Sequence, residues 1–268
     1  MKFRAKPLPY TMGNSGDLIK HGLLTEFIAW YCEHSQSPME YYDPFGGRPW
    51  QEPIHKLVEK RLTELRGCYL HDSQVKHRYW GSGQLVSHLV AVKNGKIKVF
   101  CSDRDENARY DLESSGLKMI ALADFNHQDA YSILNCKMAN DCILLDPFDE
   151  LEWINEQVLS KVMDKVIQQR CYVFLFVLYQ AKELSLWRNF QQIQRELVGK
   201  SVAYLSLSCP PLVNSEITGE SKFYSHIVLY LPNEHSQPSL ASLVKNVEKY
   251  ALNLQKVLNS PISFSYQF

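Results

Sequence analysis

Residues 141–149 read Asp-Cys-Ile-Leu-Leu-Asp-Pro-Phe-Asp, an apolar run that ends in a carboxylate, a proline and an aromatic ring. The run 142–145 has the length and composition of a strand buried on both faces. Asp146 stands where such a strand ends, and Pro147 closes the ladder because it has no N–H to donate. Ligands of open α/β sheets lie just beyond the carboxyl ends of the strands. A carboxylate, Pro147 and Phe148 at that spot therefore describe a site that grips a planar, polar group. An ordinary Asp-Pro turn has the same composition, so the question is whether the pattern recurs.

It recurs at three more candidate strand ends. Asp43 follows Tyr41-Tyr42 and leads into Phe45-Gly46-Gly47; Asp103 follows the run 96–101; Asp124, with Phe125 beside it, follows 119–123. In a doubly wound sheet these ends line one edge and converge on one crevice. An acid after the second strand can accept two hydrogen bonds from a ribose diol, and one after the third can accept from an exocyclic adenine amino group. Gly46 and Gly47, without Cβ atoms, let the backbone approach a ligand closely. The competing explanation is that these Asp residues cap helices, a position that favours Asp. No G-x-G-x-x-G is present and no Walker Lys-Ser/Thr follows the glycines, so a dinucleotide or nucleotide phosphate is not favoured. A G-x-S-x-G elbow is absent, which removes support for a serine hydrolase. S-adenosylmethionine, an adenosine ligand without phosphate, fits better.

Two further clusters stand out. In Gly13-Asn14-Ser15-Gly16-Asp17-Leu18-Ile19-Lys20-His21, Asp17 shares a helix face with both Lys20 and His21. The plain reading is a capped amphipathic helix with an ion pair of ~0.3–0.5 kcal/mol, Asn14 or Ser15 serving as N-cap. In Tyr79-Trp80-Gly81-Ser82-Gly83-Gln84 the glycines give a turn, and Ser82 either caps the helix that follows or touches a ligand.

The elements that must hold these residues alternate. Strand-like runs at 41–43, 96–101, 119–123, 142–145 and 172–179 are separated by helical periodicity at 16–34, 52–65, 106–114, 151–169 and 183–197, with a last helix over 240–258. The runs 201–209 and 223–231 read as a terminal antiparallel hairpin around a loop with Pro210-Pro211, Asn214 and Gly219. Such alternation predicts an α/β fold, a mostly parallel sheet with helices on both faces, seven strands in all. No linker cuts the chain, so 1–268 reads as one domain, with a helical insertion rich in His, Lys and Arg at about 51–95.

Bulk composition narrows the class. The 268 residues, 45% hydrophobic and 22% charged, suit a soluble globular protein with a sizeable core. Lys+Arg and Asp+Glu both number 29, which argues against a strongly electrostatic polyanion binder while leaving room for a local basic patch. Seven cysteines form no C-x-x-C pair, so no metal site is expected, and the odd, scattered set fits a reducing cytoplasm. The basic start of the chain has no apolar core of a signal peptide, and the run 172–179 is far too short to span a bilayer, so no membrane association is expected.

Taken in order, Asn14-x-x-Asp17-x-x-Lys20-His21, Asp43-x-Phe45-Gly46-Gly47, Gly81-Ser82 and Asp146-Pro147-Phe148 resemble the RlmJ-type 23S ribosomal RNA adenine-N6 methyltransferases and the related three-Cys-motif partner proteins. The resemblance covers roughly residues 10–180. It implies a Rossmann-like class I methyltransferase fold. It also implies that Lys20, His21, Asp43, Phe45, Gly46, Gly47, Ser82, Asp103, Asp124 and Phe125 surround the methyl donor. Asp146 would be the catalytic carboxylate, with Pro147 and Phe148 beside it, and Tyr10 and Asn14 would meet the target base. The adenine-N6 pattern is Asp-Pro-Pro-Tyr/Phe; here the second proline is missing, Phe148 stands one place forward and Asp149 adds a negative charge. Arg48-Pro49 replaces a further glycine. The Asp-Pro-Phe form is nearer to the three-Cys-motif partners.

Three functions remain open at this level. One is an adenine methyltransferase acting on RNA or DNA and part of rRNA processing, with Lys56, Lys60, Arg61, Arg66, Lys76 and Arg78 facing phosphates. Another is a non-catalytic or partner-dependent relative working in a protein complex or mobile-element system. The third is a small-molecule or protein methyltransferase of the same fold.

Overall fold

The computed structural model describes residues 11–74, 77–147, 155–198, 202–213, 215–217, 222–232 and 237–267. The chain opens with α1 (Ser15–His34), β1 (Met39–Asp43) and β2 (Trp50–Gln51), followed by α2 (Lys56–Glu64), α3 (Tyr69–Asp72) and β3 (Tyr79–Trp80). Next come α4 (Ser82–Val92), β4 (Ile97–Cys101), α5 (Glu106–Ser114), β5 (Lys118–Met119), a 3-10 turn (Ala130–Asn135) and β6 (Cys142–Leu145). The last third holds α6 (Glu156–Gln168), β7 (Tyr172–Tyr179), α7 (Leu184–Val198), β8 (Val202–Cys209), β9 (Tyr224–Pro232), α8 (Gln237–Leu258) and β10 (Ser263–Gln267).

One large sheet runs in the order β10-β8-β9-β7-β6-β1-β4-β5. The five strands from β7 to β5 are parallel, and β9 is antiparallel to both β7 and β8. The order reverses between β1 and β6, and it is beyond the carboxyl ends at such a switch point that doubly wound sheets bind ligands. The mostly parallel sheet with helices packed on both faces is an α/β architecture. It has eight strands rather than the seven expected, because β10, read as part of no element in the sequence, adds an antiparallel edge to β8. The expected hairpin of β8 and β9 forms, with Val202 opposite Pro232 and Cys209 opposite Ser225.

Alternation along β7 explains why so apolar a run is a strand. Tyr172, Phe174 and Phe176 enter a core shared with α1, α4 and α8, while Val173, Leu175, Val177 and Tyr179 enter a second core under α6 and α7. Both faces are covered, so no polar alternation survives. The helix α1 is buried along every residue from Ser15 to Tyr31, lying against β7, β8 and β9 with α3, α4 and α8 packed on it. Asn14 caps it by accepting from the Asp17 N–H at 3.0 Å.

Within 51–95 the structure adds a short antiparallel pair, β2 with β3, to the helices. The helix expected over 52–65 starts later, with α2 beginning at Lys56 and the His55 ring accepting from the Leu57 N–H. The helix α4 packs on α1 and β4 and makes the crossover between β1 and β4. All seven cysteines are free thiols, six of them buried. Among the described residues no helix is long and apolar enough to cross a membrane.

Candidate functional site

Five parallel strands present their carboxyl ends on one edge, and register decides which side chains meet. Asp43 is level with Cys101, while Leu145 is level with Leu175, so Asp146 emerges beside Phe176. Asp43 is fully buried. Its carboxylate takes the Ser82 hydroxyl on Oδ2 and the Phe45 N–H on Oδ1 at 3.2 Å. Ser82 is the first residue of α4, so the turn Gly81-Ser82 delivers a hydroxyl to the end of β1, as one reading of that turn required. Burial pushes Asp43 up to about 7, against the Ser82 hydrogen bond.

The glycine turn closes on the next strand. The Gly46 N–H donates to the Ser102 carbonyl at 2.7 Å, and Gly47, at φ +56, donates its N–H to Asp103 Oδ2 at 3.0 Å. That left-handed conformation favours glycine. Asp103 Oδ1 accepts the Asp105 N–H at 2.8 Å. A carboxylate has about four lone-pair sites, so these two bonds fix Asp103 and leave it acceptor capacity for a diol. Burial holds its carboxyl above the usual range. Asp103 therefore does more than cap a helix; the N-cap of α5 is Asp105.

Asp124 stands differently from expectation. The third strand ends at Met119 rather than Ala123, although the Ile120 N–H still reaches the Cys101 carbonyl at 3.0 Å. Asp124 is exposed in a turn closed by the Phe125 N–H on the Leu122 carbonyl. Phe125 is half-buried and meets His127 edge-on at 4.9 Å. Phe45, half-buried as well, meets Tyr131 edge-on at 5.5 Å, so two partly exposed rings flank this corner.

The acid beyond β6 is held by α1. Lys20 Nζ donates to Asp146 Oδ2 at 2.5 Å, lies 3.2 Å from Asp17 Oδ1 and sits 5.3 Å from the centre of the Phe176 ring. Burial raises the Asp146 carboxyl, and Lys20 opposes that rise. Asp17 also accepts the Gly13 N–H, which ties the start of α1 to the same network. His21 turns elsewhere: its Nδ1 is 2.9 Å from the Tyr79 hydroxyl and its ring stacks on Tyr79 at 5.6 Å. Burial, with Lys20 adding to it, holds the imidazole well below its ordinary value and neutral. Pro147 is buried. Tyr10 and Phe148 lie outside the described residues.

The structure thus brings Lys20, Asp43, Phe45, Gly46, Gly47, Ser82, Asp103 and Asp146 to one edge, with Asn14 capping the helix that carries Lys20. It adds Ser102, whose hydroxyl meets His127 Nδ1, and Phe176 under the Lys20 ammonium. Ser102 sits beside an acid at a strand end, a signal of sorts. Phe176 lies inside an unbroken apolar run, where no sequence signal distinguishes it.

The donor set suits S-adenosylmethionine on the structure's own terms: a fixed acid with spare acceptor capacity, a glycine turn against it, two half-buried rings and no run of backbone N–H groups aimed as a phosphate cradle among these residues.

No protein-family model matches the chain, and no curated protein matches it. Among solved structures, a Legionella pneumophila protein of family DUF519 aligns over 95% of this chain and 97% of its own, at 17% identity and a TM-score of 0.64. A precorrin-6y C5,15-methyltransferase from Geobacter metallireducens aligns over 77% of this chain and 86% of its own, at 11% identity and a TM-score of 0.31, a level that carries no argument. The Legionella likeness is one of fold alone.

Proposed function

We propose that this chain is an S-adenosylmethionine-dependent methyltransferase whose acceptor is an adenine N6 amino group in RNA or DNA, of the RlmJ and three-Cys-motif partner group. The observation that carries the reading is the juxtaposition at the switch point. An acid and glycine turn on β1 lock against an acid on β4, and Asp146 on β6 is steered by a lysine. When bound, the donor supplies an electrophilic methyl group. The chain's residues do the rest. Asp103 and the Gly46-Gly47 turn hold the nucleoside. Lys20 occupies one Asp146 oxygen and aims the other at the acceptor amine. That oxygen and the Pro147 carbonyl accept the amine hydrogens, which turns the nitrogen lone pair toward the methyl group. A base in a duplex must first leave its stack, a cost of a few kcal/mol.

The test has two arms. Asp103→Ala is expected to weaken donor binding at least ~tenfold, the effect of losing charge-assisted hydrogen bonds. Asp146→Ala is expected to bind donor within a few-fold of the parent and to transfer no labelled methyl to adenine-containing RNA or DNA. Equal loss of binding in both variants would sink this division of roles. Binding without transfer to any nucleic acid by the parent protein would favour the partner-dependent reading, to which the Asp146-Pro147-Phe148 sequence is nearer.

A further inference from the structure

We propose that Asp43 is the residue by which this site distinguishes a charged methyl donor from its neutral product: it keeps a proton in the ligand-free site and releases it when a sulfonium binds. The inference rests on the donor reading above and deepens it.

The argument starts from a charge imbalance built into the strand ends. Lys20 Nζ lies between Asp17 and Asp146, at 3.2 and 2.5 Å. Asp43 stands at the neighbouring strand end, with no exposed surface, and its contacts are the Ser82 hydroxyl and the Phe45 N–H. The titratable groups that face it are Tyr41 from β1 itself, Cys101 from β4, Cys142 from β6, Lys20 from α1 and Asp146 beyond β6. Burial holds Tyr41, Cys101 and Cys142 well above their ordinary values, so they are neutral. Among the described residues the balance is then set by three carboxylates, Asp17, Asp43 and Asp146, against the Lys20 ammonium. Fully ionised, these four groups would carry two uncompensated negative charges, one of them on the fully buried Asp43, which is costly.

A proton on Asp43 removes one of those charges, and the environment favours it. Burial dominates, Ser82 opposes, Asp146 adds to the rise and Lys20 resists it, with the carboxyl raised to about 7. A sulfonium arriving at the same edge supplies a positive charge, so the ionised form becomes the stable one and the proton passes to solvent. Methyl transfer turns the sulfonium into a neutral thioether; the carboxylate takes a proton back, and the hold on the product weakens. Donor and product otherwise share the same adenosine and amino-acid groups, so the sulfur charge is what Asp43 reads.

Calorimetric titration of the whole protein tests this. S-adenosylmethionine and S-adenosylhomocysteine are each titrated in two buffers of different ionisation enthalpy at about pH 6.5, below the ordinary α-amino range of about 7.7–8.0. The expected result is release of most of one proton with the sulfonium and little with the thioether. Sulfonium affinity should rise by up to about tenfold per pH unit below about 7 and level off above it. Asp43→Asn is expected to bind without proton release and without that slope. Ser82→Ala, which leaves the carboxyl in place and removes the hydrogen bond that lowers it, should carry proton release to higher pH. Equal release with both ligands, or release unchanged in Asp43→Asn, overturns the inference. Donor binding with no proton release defeats this inference alone, whereas a folded protein that binds neither ligand defeats the donor reading itself.

Discussion

Asp146 gains its character from one neighbour. Burial raises its carboxyl and Lys20 opposes that rise. Removing the ammonium, as in Lys20→Met, should raise the carboxyl further and shrink its ionised fraction at neutral pH. The acid limb of a pH–rate profile for methyl transfer is expected to move to higher pH, while thermal unfolding reports whether the fold survives. His226 is the opposite case, a buried titratable residue on the sheet face away from α1. It lies on β9 against Trp187 at 4.7 Å and Phe190 at 6.4 Å, and neither ring nitrogen has a hydrogen-bond partner among the described residues. Burial lowers it to about 4. The unfolded chain, with an ordinary value near 6.5, binds the proton first, so stability falls as pH drops from about 6.5 toward 4. His226→Phe should remove that slope and gain about 1 kcal/mol at neutral pH by taking two unsatisfied polar atoms out of an aromatic cluster. Denaturant titrations at pH 5 and 7 measure both effects.

At the scale of elements, α1 does two things: it carries Lys20 to the strand ends and forms the central strut of one core. Burial on all sides leaves it without an amphipathic stripe, which is why its polar residues read as a surface pattern in the sequence while the structure encloses them. Its contact with α8 depends on Gly22. A Cβ there would lie 2.1 Å from the Tyr250 ring, whose hydroxyl donates to the Leu18 carbonyl at 2.6 Å. Gly22→Ala is expected to displace that ring and cost about 1–3 kcal/mol despite the better helix propensity of alanine. Asn14→Ala should cost about 1 kcal/mol through the lost cap and loosen the first turn, where Asp17 meets Lys20. A comparison of the two variants at matched stability separates packing from site geometry: only Asn14→Ala should also lower methyl transfer.

The whole molecule has 29 basic and 29 acidic residues, and some of its surface cations are already paired with acids, such as Arg78 with Glu52 and Lys93 with Glu33. If the acceptor is nucleic acid, as proposed, few phosphates can be neutralised. Single-stranded RNA affinity should then fall gently with salt, with a log–log slope of about −2, corresponding to roughly three phosphates at −0.7 each. A slope several times steeper would point to a concentrated basic surface that the charge balance gives no sign of.

The sequence by itself determined the strand-helix alternation, the parallel core of the sheet, the β8–β9 hairpin and three of the four strand-end acids. All of these follow from local periodicity and from residues that stop a ladder. Strand boundaries with weak signals were less legible: the third strand stops at Met119 because it pairs only along the β4 edge, which leaves Asp124 in an exposed turn. The antiparallel edge β10 has no apolar run, since its five residues are mostly exposed. Only the tertiary structure decided that Lys20 belongs to Asp146, 126 positions away, that His21 belongs to Tyr79, and that Phe176 lies under the ammonium. Those partners are chosen by strand register and by the placement of a buried helix across the sheet, and neither leaves a periodic mark in the chain.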